Sequence, residues 1–327
     1  MLGHNLVREL LDQGWDVAGL VRSEAKAQAL FDDLPIDVVI GDMLDIEAFS
    51  EQLVGVDVVF HTAAYFREYY GDGDHWAKLA AVNIDGTVKL ARAAHAAGVA
   101  LFVDTCSGGI IKSREDAPAD EDDVAEPEDL ENLYFRSKVL AERELRDFMD
   151  ASGMKIQWVL PGWMFGPRDA APTAAGEFVQ DFLAGKFPVV LPGNISVVDA
   201  RDVARAMISM VDRGRSGERY LVAGRRTTLR EIVDGLAKVA GVRSPKITLP
   251  YAVALPFAWA VETGTRLTGG TNVLTVKGLK TLNSTGSVTS AKAESELGAT
   301  FRPLEETLRD VVSWYAARGE VHAPALA

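Results

Sequence analysis

Residues 98–107 read Gly98-Val99-Ala100-Leu101-Phe102-Val103-Asp104-Thr105-Cys106-Ser107. Gly98 stops a long helical pattern, Leu101 to Thr105 is a β-rich run, and small polar residues stand where that run ends. A strand that follows a helix so closely is one unit of a parallel βαβ arrangement. Working outward, the unit recurs. Upstream, Asp57 to Phe60 is a buried-type strand that precedes an amphipathic helix from Trp76 to Ala97. Asp37 to Ile40 is a strand ended by Gly41, and Asp16 to Val21 is a strand followed by a helix from Glu24 to Asp33. Downstream, a helix from Leu133 to Ala151 stops at Ser152-Gly153, and Ile156 to Leu160 is the next strand. The alternation predicts an α/β, doubly wound parallel sheet whose ligand site lies at the carboxyl ends of the strands. The residues at those ends are Arg22, Asp42, His61 to Ala64, Thr105 to Gly108, and Pro161 to Arg168.

Beyond Pro161 the rhythm loosens. Helices are predicted at 174–184, 200–213, 228–240, 289–297 and 304–317, with a strand at 219–223. Gly and Pro make 161–172 and 185–193 loop-rich. The acidic run from Glu115 to Glu131 reads as a solvated loop.

Composition narrows the function classes. The 327 residues carry a formal net charge of −13, against the clustered basic surface that nucleic acid requires. A single cysteine, Cys106, permits no intrachain disulfide, which fits a reducing compartment. No basic segment followed by an apolar core opens the chain, and the longest apolar run, Tyr251 to Val261, is broken by Pro256. The expectation is therefore a cytoplasmic protein acting on a small molecule, with neither nucleic acid nor membrane as partner. The five histidines are scattered and no Cys/His cluster suggests a metal.

Tyr134 and Lys138 lie four residues apart in the helix that begins at Leu133, so both side chains share one face. A lysine ammonium so placed can lower the tyrosine pKa and fit the phenol for proton transfer near neutral pH. Ser107, or alternatively Thr105, at the preceding strand end could hold a substrate oxygen. Arg22 follows the strand after which folds of this type place an acid for the ribose hydroxyls of NAD. A guanidinium there suits a 2′-phosphate, so NADP(H) is expected over NAD(H).

These segments resemble the extended short-chain dehydrogenase/reductase superfamily, or NAD-dependent epimerase/dehydratase family, and most of all its dihydroflavonol-reductase-like branch. The matching residues are Gly41-Asp42, His61-Thr62-Ala63-Ala64, Asn83 with Gly86-Thr87, and Thr105-Cys106-Ser107. Tyr134 to Lys138, Pro161 to Pro167, Asp199 to Ala204, and Leu297-Gly298 with Glu305 to Trp314 complete the set. The resemblance implies a Rossmann-type dinucleotide-binding domain over 1–165. A smaller, mostly helical substrate region would follow over 166–327, with some segments returning to the sheet. It implies Ser107, Tyr134, Lys138 and Asn83 as catalytic residues, Asn83 organising the site or a water relay. For the cofactor it implies Gly3, Arg22, Asp42, Met43, Thr62, Ala63, Ala64, Tyr134, Lys138, Pro161 and Gly162. Tyr65, with the aromatic run to Tyr70, joins Trp163, Phe165 and Arg168 as substrate candidates. An oxidoreductase acting on a carbonyl or alcohol is the leading activity, a sugar-nucleotide epimerase or dehydratase the second; a homodimer stays open.

One departure stands out. The family opens with a strand and a T-G-x-x-G-x-x-G turn, of which only Gly3 is matched here. The sequence reading expects a missing first strand between 16–21 and 57–60, through a shortened start or else a degenerate, non-catalytic member.

Overall fold

A computed structural model describes residues 1–66, 74–114, 116–268, 279 and 286–326. Helix α1 (Leu2–Asp12) precedes strand β1 (Ala18–Val21), helix α2 (Glu24–Phe31) and strand β2 (Asp37–Ile40). Strand β3 (Val58–His61) leads to a long helical segment composed of α3 (Trp76–Leu79), a π-helical turn (Ala80–Gly86) and α4 (Thr87–Ala96). Strand β4 (Leu101–Thr105), helix α5 (Leu133–Ser152) and strand β5 (Lys155–Pro161) follow.

β3, β4, β5 and a later strand, β8 (Arg219–Val222), form a parallel four-stranded sheet in that order, while β1 and β2 pair in parallel as a second piece. Among the described residues β1 and β3 share no backbone pairing. Leu20, Val38 and Ile40 of the smaller piece are exposed.

Both faces of the larger sheet are covered, as its continuous apolar strands require. On one face Phe102, Cys106, Ile156 and Trp158 pack under Leu90, Ala91 and Ala94 of α4 and Val139 and Leu145 of α5. On the other, Leu2, Leu6 and Leu10 of α1 meet Val103, Val159 and helix α7 (Ala200–Arg213) through Val203 and Met207. A second core joins β6 (Trp163–Phe165), α6 (Ala174–Leu183), β7 (Asn194–Asp199), α8 (Leu229–Ala240) and α10 (Leu304–Ala317). There β7 pairs in parallel with β6 and antiparallel with β9 (Arg225–Thr228). Helix α9 (Tyr251–Thr268) carries Pro256 inside it. Among the described residues no helix is long and apolar enough to cross a membrane.

One expectation is corrected. The acidic run is not simply solvated: Glu121 is buried and its Oε1 accepts from the Leu221 amide at 2.7 Å, at the end strand of the main sheet. The stretch 161–172 is loop-rich as expected, with Trp163–Phe165 paired with β7.

Candidate active site

Helix α5 starts where Asn132 accepts from the amides of Tyr134 and Phe135, and this cap sets the helical phase. The phase turns Tyr134 and Lys138 onto the strand side, where both are buried. The Lys138 ammonium donates to the Thr105 carbonyl at 2.7 Å and lies 5.9 Å from the centre of the Tyr134 ring. That bond pins α5 to the end of β4. Two residues on, the Ser107 Oγ accepts from Gly109 N at 3.2 Å and caps a short 3₁₀ turn. Gly109 is required there, because a Cβ would stand 2.2 Å from the Phe135 ring. Thr105, the alternative hydroxyl, is half-buried like Ser107, but its Oγ1 is enclosed without a partner among the described residues.

Asn83 sits in the π-helical turn, buried. Its Oδ1 accepts from Tyr65 N at 2.7 Å, and its Nδ2 donates to Tyr65 O at 3.0 Å and to the Ser137 Oγ at 3.1 Å. Ser137 in turn donates to the Tyr134 carbonyl. The side chain is thus a clamp between the loop after β3 and the helix that carries Tyr134. Held by it, the Phe66 ring lies 4.5 Å from that of Tyr134.

Electrostatics depart from the expectation that Lys138 brings the phenol toward neutrality. Burial pushes the Tyr134 pKa up, with Cys106 and Asp104 adding to it. The ammonium itself donates to the Thr105 carbonyl. His61 donates to or accepts from Thr87 Oγ1 at 3.0 Å, and burial with Lys138 nearby lowers its pKa to about 3. That keeps the ring neutral at physiological pH.

Of the cofactor candidates, Gly3 lies in the first turn of α1, where a Cβ would stand 2.9 Å from Thr62 Oγ1. Ala63 and Ala64 are exposed at the end of β3 and offer nothing larger than a methyl group. Asp42 Oδ1 accepts from Leu44 N, Met43 is buried, and a Cβ on Gly86 would approach the Met43 carbonyl to 2.7 Å. Arg22 is exposed where β1 ends, just before Ser23 caps α2. Pro161 is buried at the end of β5, and Gly162 has the Ala223 carbonyl 2.5 Å from where its Cβ would be. A small-residue floor, an exposed guanidinium and an enclosed, unpartnered His4 Nδ1 fit a dinucleotide here.

The substrate candidates disperse. Tyr65 bonds its hydroxyl to His75 Nδ1 at 2.7 Å. Trp163 is half-buried and edges onto Phe165 and Phe178 at 4.7 and 5.5 Å. Phe165 is a core residue, 1% exposed, and cannot serve as a substrate wall. Arg168 adopts a left-handed φ of 67° and donates to Asn5 Oδ1 of α1, on the cofactor side. The aromatic run at 67–70 lies outside the described residues. Phe66 belongs to the aromatic run that the sequence offered as a substrate wall; that its ring lies against Tyr134 is visible only in three dimensions. Among the described residues no group of three or more His, Cys, Asp or Glu could hold a metal.

A family model described as the NAD dependent epimerase/dehydratase family matches residues 1–223. A putative dihydroflavonol 4-reductase of Synechocystis sp. is 32% identical, over 98% of this chain and 93% of that protein. Sterol demethylase protein B of Methylococcus capsulatus is 30% identical over 98% and 97%. The crystal structure of gox2253 superposes with a TM-score of 0.84 at 27% identity, over 98% of this chain and 96% of that one.

Proposed function

The chain belongs to the NAD-dependent epimerase/dehydratase family, and on that premise we propose that it is an NADP(H)-dependent oxidoreductase interconverting a carbonyl and an alcohol on a small organic molecule. The observation that carries the reading is the set around Tyr134. Its helix is tied to β4 by Lys138, its carbonyl to the Asn83 clamp by Ser137, and the Ser107 hydroxyl stands at the adjoining strand end.

A bound nicotinamide supplies the hydride; the protein orients it and handles the proton. Ser107 offers a hydrogen bond to the substrate oxygen and Tyr134 gives or takes the proton at that same oxygen. Phe66 against Tyr134 presents an aromatic surface beside the reacting position, which suits an apolar substrate more than a sugar diphosphate. The names of the two relatives matched nearly end to end, a dihydroflavonol 4-reductase and a sterol demethylase protein, point the same way. Arg22, exposed where β1 ends, favours the 2′-phosphate of NADP(H).

The test is product analysis. Stoichiometric NADPH oxidation with aryl or alicyclic ketones is expected, with no conversion of UDP-glucose. Epimerised sugar nucleotide without net NADPH loss would replace this reading with the epimerase one. Arg22→Asp is expected to weaken NADPH at least ~10-fold, about 1.4 kcal/mol, while leaving NADH within a few-fold. Equal losses in a binding titration would show that Arg22 does not meet the 2′-phosphate.

A further inference from the structure

A row of half-buried aromatic rings starts beside Ser107 and takes no part in proton or hydride transfer. A Cβ on Gly108 would stand 2.9 Å from the Pro161 carbonyl, so the turn at Ser107 touches the step from Pro161 to Trp163. Gly162 lies between the Ala223 and Ser196 carbonyls, 2.5 and 2.8 Å from where its Cβ would be. No other residue fits there, and the backbone that presents Trp163 is fixed by that packing. Behind Trp163 stands the buried Phe165, with ring centres 4.7 Å apart. Beside it stands Phe178 of α6, at 5.5 Å, and Phe187 follows at 5.0 Å from Phe178.

The local sequence explains why these rings line up. Helix α6 buries Ala175, Val179 and Phe182 at the spacing of a core stripe, and Phe178 lies at the margin of that stripe. The helix ends at Gly185, in the left-handed region with φ 75°. There the Gly185 amide donates to the Phe182 carbonyl and the Lys186 amide to the Asp181 carbonyl, a Schellman arrangement that turns the chain back. The reversal lays Phe187 against Phe178. Trp163, Phe178 and Phe187 all pack on the second core, yet each stays half-buried, so an apolar edge of every ring is open. Lys186, next to Phe187 in the chain, is paired with Asp181 at 2.7 Å and leaves the row apolar. Contiguous apolar surface left open to water marks a place where a ligand or partner sits.

We propose that Phe178 and Phe187 form a distal aromatic subsite that determines substrate specificity. With its carbonyl at Ser107 and Tyr134, a flat apolar substrate with two or more rings in line runs past Trp163 and seats its far ring on Phe178 and Phe187. The proposal rests on the oxidoreductase reading for the place of the carbonyl. Continuity with the site selects this occupant: the row begins at the backbone step that touches the Ser107 turn, so a molecule held at Ser107 is the one that reaches it. Ring-on-ring contacts add a quadrupole attraction to the burial of area, which favours an aryl ring over an alkyl chain of similar size.

The test is a calorimetric titration of the protein saturated with NADP⁺, which cannot reduce a ketone, so no turnover enters the readout. Acetophenone carries the carbonyl and one ring; 4-acetylbiphenyl adds a second ring in line. The biphenyl ketone is expected to bind at least about tenfold more tightly. Phe178→Ala and Phe187→Ala should each weaken the biphenyl ketone by about fivefold or more, while acetophenone keeps its parent affinity. Phe187→Leu retains apolar volume without the ring and should fall between the parent and Phe187→Ala. Unchanged acetophenone binding also shows that each variant is folded. Equal or undetectable affinity of the two ketones for the parent, the result if another segment of the chain or a second copy covers the row, overturns the proposal. An equal loss for both ketones in Phe187→Leu, or no loss for the biphenyl ketone in either alanine variant, overturns it too. The two readings fail separately: if Phe178 and Phe187 govern biphenyl binding but no ketone is reduced by NADPH, the oxidoreductase reading falls and the subsite stands.

Discussion

Tyr134→Phe is expected to lower kcat by about two to four orders of magnitude, the range that positioned proton transfer contributes. The substitution keeps the ring against Phe66 and Phe135, so packing survives. Among the described residues the hydroxyl has no hydrogen-bond partner, so nothing in the protein is orphaned by its removal. The Lys138–Thr105 bond and the Asn83–Ser137 link use neither the hydroxyl nor its proton. Tm and NADPH affinity should therefore stay at parent values while turnover collapses. A kcat within about tenfold of the parent, only ~1.4 kcal/mol of barrier, would remove Tyr134 from the chemistry.

The largest effect on stability is expected at Arg302, far from that site. Its guanidinium bonds Asp202 at 2.7 and 2.8 Å and lies 3.8 Å from Asp199, while its amide meets the other Asp202 oxygen at 2.9 Å. Asp199 caps α7 and is held by Arg201, which continues to Asp310 on α10. The network ties the carboxyl-terminal helix to the helix beneath the main sheet. Arg302→Leu would leave the Asp202 carboxylate buried, with Arg205 only at 4.0 Å, and such one-sided losses cost roughly 3–5 kcal/mol. Burial already holds the Asp202 pKa up against Arg302, so losing Arg302 raises it further. A raised carboxyl stabilises only while protonated, so the defect should deepen as pH rises from acid toward neutral. Denaturant melts at both ends of that range would reveal it; a loss under about 1 kcal/mol at neutral pH would mean the network is slack.

Several elements were legible in the sequence, whereas helix α9 (Tyr251–Thr268) was not, because Pro256 interrupts its apolar run. Leu101–Thr105, Ala200–Arg213 and Leu304–Ala317 coincide with their predicted bounds, and α5 differs by one residue. Strands β6, β7 and β9 escaped because three to six residues give too little alternation, and Arg225-Arg226-Thr227-Thr228 is polar throughout. The π-helical turn escaped because its period is not 3.6, although it carries Asn83 into place. Tyr134, Lys138 and Ser107 could be found by spacing and order, because a helix and a strand end fix them locally. The aromatic candidates could not. Phe165 and Phe66 differ only in which way the backbone turns them, one into a core and the other over Tyr134.

The central claim is that hydride moves from a nicotinamide to a substrate carbon beside Tyr134. NADPH deuterated at the transferable position, incubated with the chain and a panel of aryl and alicyclic ketones, tests it by mass spectrometry of the products. The account predicts deuterium on the carbinol carbon of at least one alcohol, and none when Tyr134→Phe replaces the parent. Deuterium equally abundant in the Tyr134→Phe product, or no transfer to any ketone alongside epimerisation of a sugar nucleotide, would contradict it.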